Sequence, residues 1–311
     1  MGKFNRVSLA TILAVFSVQV FADDNSWFTP ENISAGLSTG FLSGEARERV
    51  YEPAEGGRKI SQLDWKYNHA PVIKGSLNWD VMPRFTVGMS GWTTLSGSGG
   101  SMTDSDWLDP EQKEKTDYSR HPDTKLNYAN QFDISLTGWI LNEPDYRAGL
   151  AVGYQQSTFS WTSKGGSYLY DNGTDTGSFL PGQSVIGYSQ TFKLPWIGIA
   201  GTYRFRDFEL NGLFKYSNQG KVTDNDEHYL RDTTFRDRAT GQKFYSLSAD
   251  AGYYITDNAK VFVDVAWSRM LNVKGDITEN DYGENTKTRY KDSSGTEYSN
   301  YMVTGGIQYR F

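Results

Sequence analysis

Apolar and polar residues alternate with a period of two along most of the chain beyond residue 30. In the last eleven residues Tyr301, Val303, Ile307, Tyr309 and Phe311 share one face, with Thr304, Gln308 and Arg310 on the other. Phe132, Ile134, Leu136 and Ile140 alternate with Gln131, Asp133, Ser135 and Thr137, and Tyr146, Ala148, Leu150, Val152 and Tyr154 with Arg147, Gly149 and Gln155. Val261, Val263, Val265 and Trp267 continue the pattern. Successive side chains of a strand point to opposite faces, so these segments predict strands with one apolar and one polar face. The polar positions include Lys215, Glu209, Asp250 and Asp264.

Very short polar turns fall at 80–83, 142–145, 206–207 and 256–259, and long polar linkers at 44–57, 96–127, 161–185, 218–242 and 271–298. Between them lie ten strands, about 31–43, 58–79, 84–95, 128–141, 145–160, 186–204, 207–217, 243–256, 259–270 and 300–311. An even count with short connections at one end and long ones at the other predicts an all-β fold. It is a ten-stranded antiparallel transmembrane β-barrel with short periplasmic turns and long extracellular loops. A soluble sandwich would not confine every short turn to one end. A tilted span needs about 9–11 residues, yet 58–79 and 186–204 are about twice that. The surplus lifts the barrel mouth roughly 10–20 Å above the membrane. The apolar phase slips between Leu194 and Ile197, around Pro195, which predicts a β-bulge there.

Composition narrows the choice further. Mean hydropathy is −0.59, and no apolar run after residue 22 approaches the ~20 residues of a membrane helix. The 20 Tyr, 17 Phe and 9 Trp suit the aromatic girdles of a membrane barrel. The absence of cysteine excludes a disulfide framework, a thiol nucleophile and a zinc–thiolate site. Residues 1–22 have the form of a signal peptide. Lys3 and Arg6 precede a mostly apolar stretch, and Val20 and Ala22 stand at −3 and −1 of a cleavage site. Its removal leaves 23–311 as the barrel domain, with 29 basic and 37 acidic residues, net −8. That balance argues against nucleic acid as a partner.

Of the three histidines, His228 has acidic company in Asp224-Asn225-Asp226-Glu227-His228. On an extended segment Asp226 and His228 share a face, so the carboxylate can orient the imidazole while the other nitrogen takes a proton from water. Asp104-Ser105-Asp106 repeats the spacing, and two carboxylates on one face repel until one holds a proton. Either motif alone also fits a solvated acidic loop. Ser119 and His121, with Asp123 nearby, are a weak serine–histidine pair and read better as a rim turn. No spacing matches a calcium loop, and the glycine-rich 97–100 lacks a phosphate-loop lysine.

The segments 48–51, 56–66, Gly91-Trp92-Thr93-Thr94-Leu95, Asp104 to Trp107, His121-Pro122-Asp123-Thr124, Gly138-Trp139, Gly166-Ser167-Tyr168, 224–229 and 251–256 together resemble the omptin family of outer-membrane aspartate/histidine proteases. The stretch His228 to Asp232, Thr234-Phe235-Arg236 and the terminal Tyr309-Arg310-Phe311 look closer to its plasminogen-activating branch. The resemblance implies an endopeptidase cutting at basic or dibasic sites, with its groove facing outside the cell. Asp226 and His228 would activate water, with Asp104 and Asp106 facing them. Glu48 and Asp224 would bind the basic side chain before the scissile bond, and Asp117 the residue after it. It implies no cofactor and no metal, although lipopolysaccharide is a candidate requirement. The family's lipid-phosphate arginines fall here on Thr158 and Thr191 and its acidic member on Gln156; Tyr154 alone matches. Replacement lipid contacts are expected from Arg231, Arg236 or Arg238, or the dependence is weaker. Expected partners are cationic peptides and proteins, outer-membrane lipid, and host plasminogen or matrix proteins. The competing class is an adhesin or invasin on the same barrel with little proteolysis. A lipid hydrolase would need serine and histidine on the lipid-facing wall, and ten strands leave a porin little lumen.

Overall fold

The computed structural model describes residues 33–311; the expected leader, 1–22, lies outside them. The strands are β1 (Ile33–Glu52), β2 (Arg58–Met82), β3 (Phe85–Thr94), β4 (Ser98–Asp106), β5 (Asp117–Asn142), β6 (Tyr146–Lys164), β7 (Ser167–Tyr170), β8 (Asp175–Ser178), β9 (Ser184–Phe205), β10 (Phe208–His228), β11 (Thr233–Tyr254), β12 (Ala259–Asp281) and β13 (Thr286–Arg310). Every pairing is antiparallel, and β1 pairs with both β2 and β13, which closes the ring. β3 and β4 are successive halves of one stave between β2 and β5. The β7–β8 hairpin attaches to the upper part of β5. Ten staves therefore form the barrel, as the alternation predicts.

The polar linkers are not loops, however. Most of 44–57, 96–127, 161–185, 218–242 and 271–298 is strand, and the distal connections shrink to turns such as 229–232 and 282–285. Staves of 25 and 26 residues, such as β2 and β5, are more than twice the length needed to cross a bilayer. Above the membrane the outer face meets water, so the strand sequence there is polar on average and reads as a linker.

The face that carries apolar residues inverts along each stave. In the lower half Leu37, Phe41, Leu150, Ile197, Ile199, Val263, Val303 and Ile307 point outward and are exposed to lipid. The lumen holds paired charges there: Lys215 Nζ–Asp133 Oδ2 at 2.7 Å, Lys260 Nζ–Glu209 Oε1 at 2.6 Å and Lys74 Nζ–Asp264 Oδ1 at 2.7 Å. In the upper half the apolar residues turn inward. Trp65, Tyr67, Phe159, Trp161, Tyr188, Phe192 and Tyr298 are buried across the barrel. Phe159 meets Tyr298 at 5.4 Å and Trp65 stacks on Tyr188 at 5.3 Å between centroids, each pair joining staves that are not neighbours. Such ring packing adds to the area each aromatic removes from water.

This inversion corrects the expected bulge in β9. Leu194 is inward and buried, Ile197 is outward, and the register with β6 runs unbroken from Tyr203 to Ile186. The apolar residues change face while the backbone keeps its phase. The irregularity lies in the neighbouring stave, where Ser217 to Gly220 of β10 takes one extra residue opposite Leu194 to Trp196. A second bulge, in β2, places His69 in the left-handed region (φ 52) with its N–H donating to Ser43 Oγ. That accounts for this histidine without chemistry.

Candidate active site

The aromatic layer forms the floor of a groove open at the extracellular end. β10 carries Asp224, Asp226 and His228 at every second position, so all three turn inward above that floor. β4 presents Asp104 and Asp106 by the same rule, β1 Glu48, and β5 Asp117, Ser119 and His121. Glu48, Asp104, Asp106, Asp117, Ser119, His121, Asp226 and His228 line the one groove. Residues 180 positions apart in sequence are thus brought together by ring closure.

His228 Nε2 lies 2.8 Å from Asp226 Oδ2, and Arg231 Nη2 lies 2.5 Å from His228 Nδ1. A guanidinium only donates, so Nδ1 accepts, and Nε2 carries the proton that it donates to Asp226. Asp226 is 2% exposed and its Oδ1 accepts no hydrogen bond. Arg231 therefore lines the groove, beside the histidine. Arg236 and Arg238 are exposed on the outer face of β11.

Burial and mutual repulsion raise the pKa of four of these acids, Glu48, Asp104, Asp106 and Asp224. Burial pushes Asp104 well above the carboxylate range, and the charges of Asp106 and Asp226 add to it. Asp106 is raised too, again mainly by burial, against a Ser61 hydrogen bond. Burial, then Asp226 and Asp224, lifts Glu48 well above its usual value. Asp224 is pushed up to about 7 by burial, although it accepts bonds from the Asp237 N–H (2.9 Å) and the Tyr188 hydroxyl (3.2 Å). Asp117 is also bonded at both oxygens: Oδ2 accepts from Thr116 Oγ1 at 2.7 Å and Oδ1 from the Asp171 N–H at 2.8 Å.

Ser119 and His121 do meet, with Oγ 2.8 Å from Nε2. The His121 Nδ1–H donates to the Gly165 carbonyl, so Nε2 accepts the serine proton. Burial lowers the His121 pKa. No carboxylate backs this imidazole, which is fully buried against Phe179. Asp237 was not legible as a site residue. It stands in the run Arg236-Asp237-Arg238, which reads as a solvated charge patch, yet its parity on β11 turns it inward. The usable signal is the register: Thr223 pairs Arg238 and Asp226 pairs Phe235, which sets Asp237 opposite Asp224.

A closed barrel of tall staves with an acid-lined groove at its mouth defines an outer-membrane β-barrel protease. The omptin family model matches residues 29–311, and the chain belongs to that family. Protease 7 of Escherichia coli K12 is 51% identical over 318 residues, covering 100% of this chain and 99% of the relative. The plasminogen activator of Yersinia pestis is 44% identical, covering 97% and 98%. The crystal structure of the outer membrane protease OmpT from Escherichia coli superposes with a TM-score of 0.89 at 50% identity, covering 93% of this chain and 99% of that one. Over the whole chain, identity is higher to Protease 7 than to the plasminogen activator.

Proposed function

We propose that this outer-membrane protease is an aspartic-type endopeptidase that cleaves at basic and dibasic sites with a water activated by Asp226 and His228. The observation that supports this best is the hydrogen-bonded Asp226–His228 pair in one groove with Asp104 and Asp106. Asp226 holds Nε2, so Nδ1 takes the water proton, and Arg231 leaves that nitrogen when a peptide enters. Asp226 then stabilises the imidazolium. Asp104, the more strongly raised acid, carries the shared proton and donates toward the developing oxyanion, while ionised Asp106 orients the water. Glu48 and Asp224 take the basic side chain before the scissile bond through charge-assisted bonds, and Asp117 the side chain after it.

Substrates of this chemistry are cationic antimicrobial peptides and, by likeness to the plasminogen activator, host plasminogen. Lipopolysaccharide acts as an activator held outside the family's phosphate position, where Thr158 and Thr191 now bond only each other. The test is cleavage of a quenched Arg-Arg peptide by cells displaying the protein. Cleavage beside the basic residues, abolished by His228→Ala and by Asp104→Ala, is expected. A folded surface barrel that never cleaves, with or without added lipopolysaccharide, would overturn the reading in favour of an adhesin. If the chain also binds host matrix, Asp226→Asn leaves that adhesion intact.

A further inference from the structure

One oxygen from each of Glu48, Asp224 and Asp237 lies within 4.8 Å of the other two, and all three residues are buried. Glu48 Oε2 and both oxygens of Asp237 accept no hydrogen bond of normal geometry; the Ser294 hydroxyl approaches Asp237 only loosely and offsets a small part of the rise that burial imposes on that carboxyl. Asp237 is 3% exposed. These acceptors are therefore cut off from water and face one another across a small gap. Native interiors rarely leave such groups unmatched, which marks a place built for a donor that arrives with the substrate.

The size of the gap says which donor. Because no side of the oxygen triangle exceeds 4.8 Å, one point lies within about 2.8 Å of all three corners, inside the ordinary N–H···O range. A single nitrogen at that centre reaches all three carboxylates, and an ammonium carries three donors on one nitrogen. A guanidinium spreads its donors over a planar fork and is matched by the two oxygens of one carboxylate. Resting on the basic-side-chain pocket proposed above, we infer that Asp237 is a specificity-determining residue. It completes a three-carboxylate cage that admits lysine before the scissile bond, where Glu48 and Asp224 alone favour arginine.

The test uses the intact protein refolded with lipopolysaccharide, and two peptides that differ only in lysine or arginine before the scissile bond. Asp237→Asn keeps the shape and removes the charge; Asp237→Glu restores it. The expected result for Asp237→Asn is a fall in kcat/KM of about tenfold or more for the lysine peptide, the scale of one charge-assisted bond, with less than about threefold for arginine. Asp237→Glu recovers part of the lysine activity. Equal losses on both peptides, or no loss on either, would overturn the inference, because a merely structural role moves both substrates together. A wild-type protein that cleaves neither peptide sinks the underlying pocket assignment instead, and the cage with it.

Discussion

His228 is held at both ring nitrogens, and the two partners differ in kind: a buried carboxylate at Nε2 and an exposed guanidinium at Nδ1. Only the second is free to leave, which is why the proposed mechanism uses Nδ1 as the working atom. Replacing Asp226 by Asn keeps the shape but removes the charge that supports the imidazolium, so kcat should fall by at least about a thousandfold, as it should for His228→Ala. Ser119→Ala should cost at least about tenfold less than either, since Ser119 contacts a histidine that no carboxylate backs. Equal losses in all three variants would shift the nucleophile to serine. The proposed basic-residue pocket predicts a pH dependence of its own. Asp224 is raised to about 7, mainly by burial, and burial likewise lifts Glu48 and Asp237 well above their usual values. A cation binds the ionised acids, so its entry releases protons, and affinity rises with pH through the range where they ionise. KM for a basic peptide should therefore fall as pH rises from about 6 to 8. A KM that is flat or rising over that interval would contradict the assignment of these acids to substrate binding.

At the level of elements, one stave performs two jobs with one backbone. Its lower half obeys membrane logic, apolar outside, and its upper half obeys water logic, apolar inside. The aromatic floor that results is what holds the groove residues in register. Trp161 packs against Trp65, Phe159 and Tyr188, so Trp161→Ala should cost the rim about 3–5 kcal/mol. Limited proteolysis should then nick the upper staves while the membrane half keeps its barrel mobility on unheated gels; unchanged resistance with full activity would show that the floor is not structural. The outer wall differs around the ring. Arg47 and Arg49 on β1 are paired with Glu297, and Arg47 also with Asp64 and Glu45. Lys193 and Lys221, paired in register on β9 and β10, and Arg238 on β11 are exposed just above the apolar band. These are free to meet anionic lipid headgroups. Changing all three to Gln should reduce stimulation by lipopolysaccharide severalfold, and unchanged stimulation would remove this wall as the lipid contact. The ten staves and their short turns were legible in the period-two pattern because the lipid-facing residues are uniformly apolar. The upper halves were not, because periodicity reports alternation only when one face is consistently apolar, and there the inward face mixes Trp161 and Phe192 with Glu48 and Asp226. Motif spacing found Asp226 and His228 on one strand; it could not find Asp237, whose partnership with Asp224 exists only through register.

The molecule as a whole separates charge by height. The membrane half neutralises its lumen internally, through Lys215 with Asp133 and Lys260 with Glu209, and contributes little field outside. The groove is lined by Glu48, Asp104, Asp106, Asp117 and Asp226, with Arg231 as the cation among them, and Asp224 and Asp237 are buried beside Glu48. The chain's net negative balance is thus focused at the mouth, by low-dielectric walls that keep field lines inside the groove. A cationic peptide is drawn in before it makes any contact, and counter-ions screen that pull over about 10 Å at 0.1 M salt. Raising ionic strength from about 0.02 to 0.3 M, a change in screening length of several-fold, should lower kcat/KM for an Arg-Arg peptide by about tenfold or more through association, and leave kcat at saturation nearly constant. A peptide with the same cleavage site but acidic flanks should lose much less, since its net charge gives the field little to act on. If salt instead lowered kcat equally for both peptides, the field would be acting on the catalytic acids themselves, and the reading of the groove as an electrostatic funnel would have to be given up.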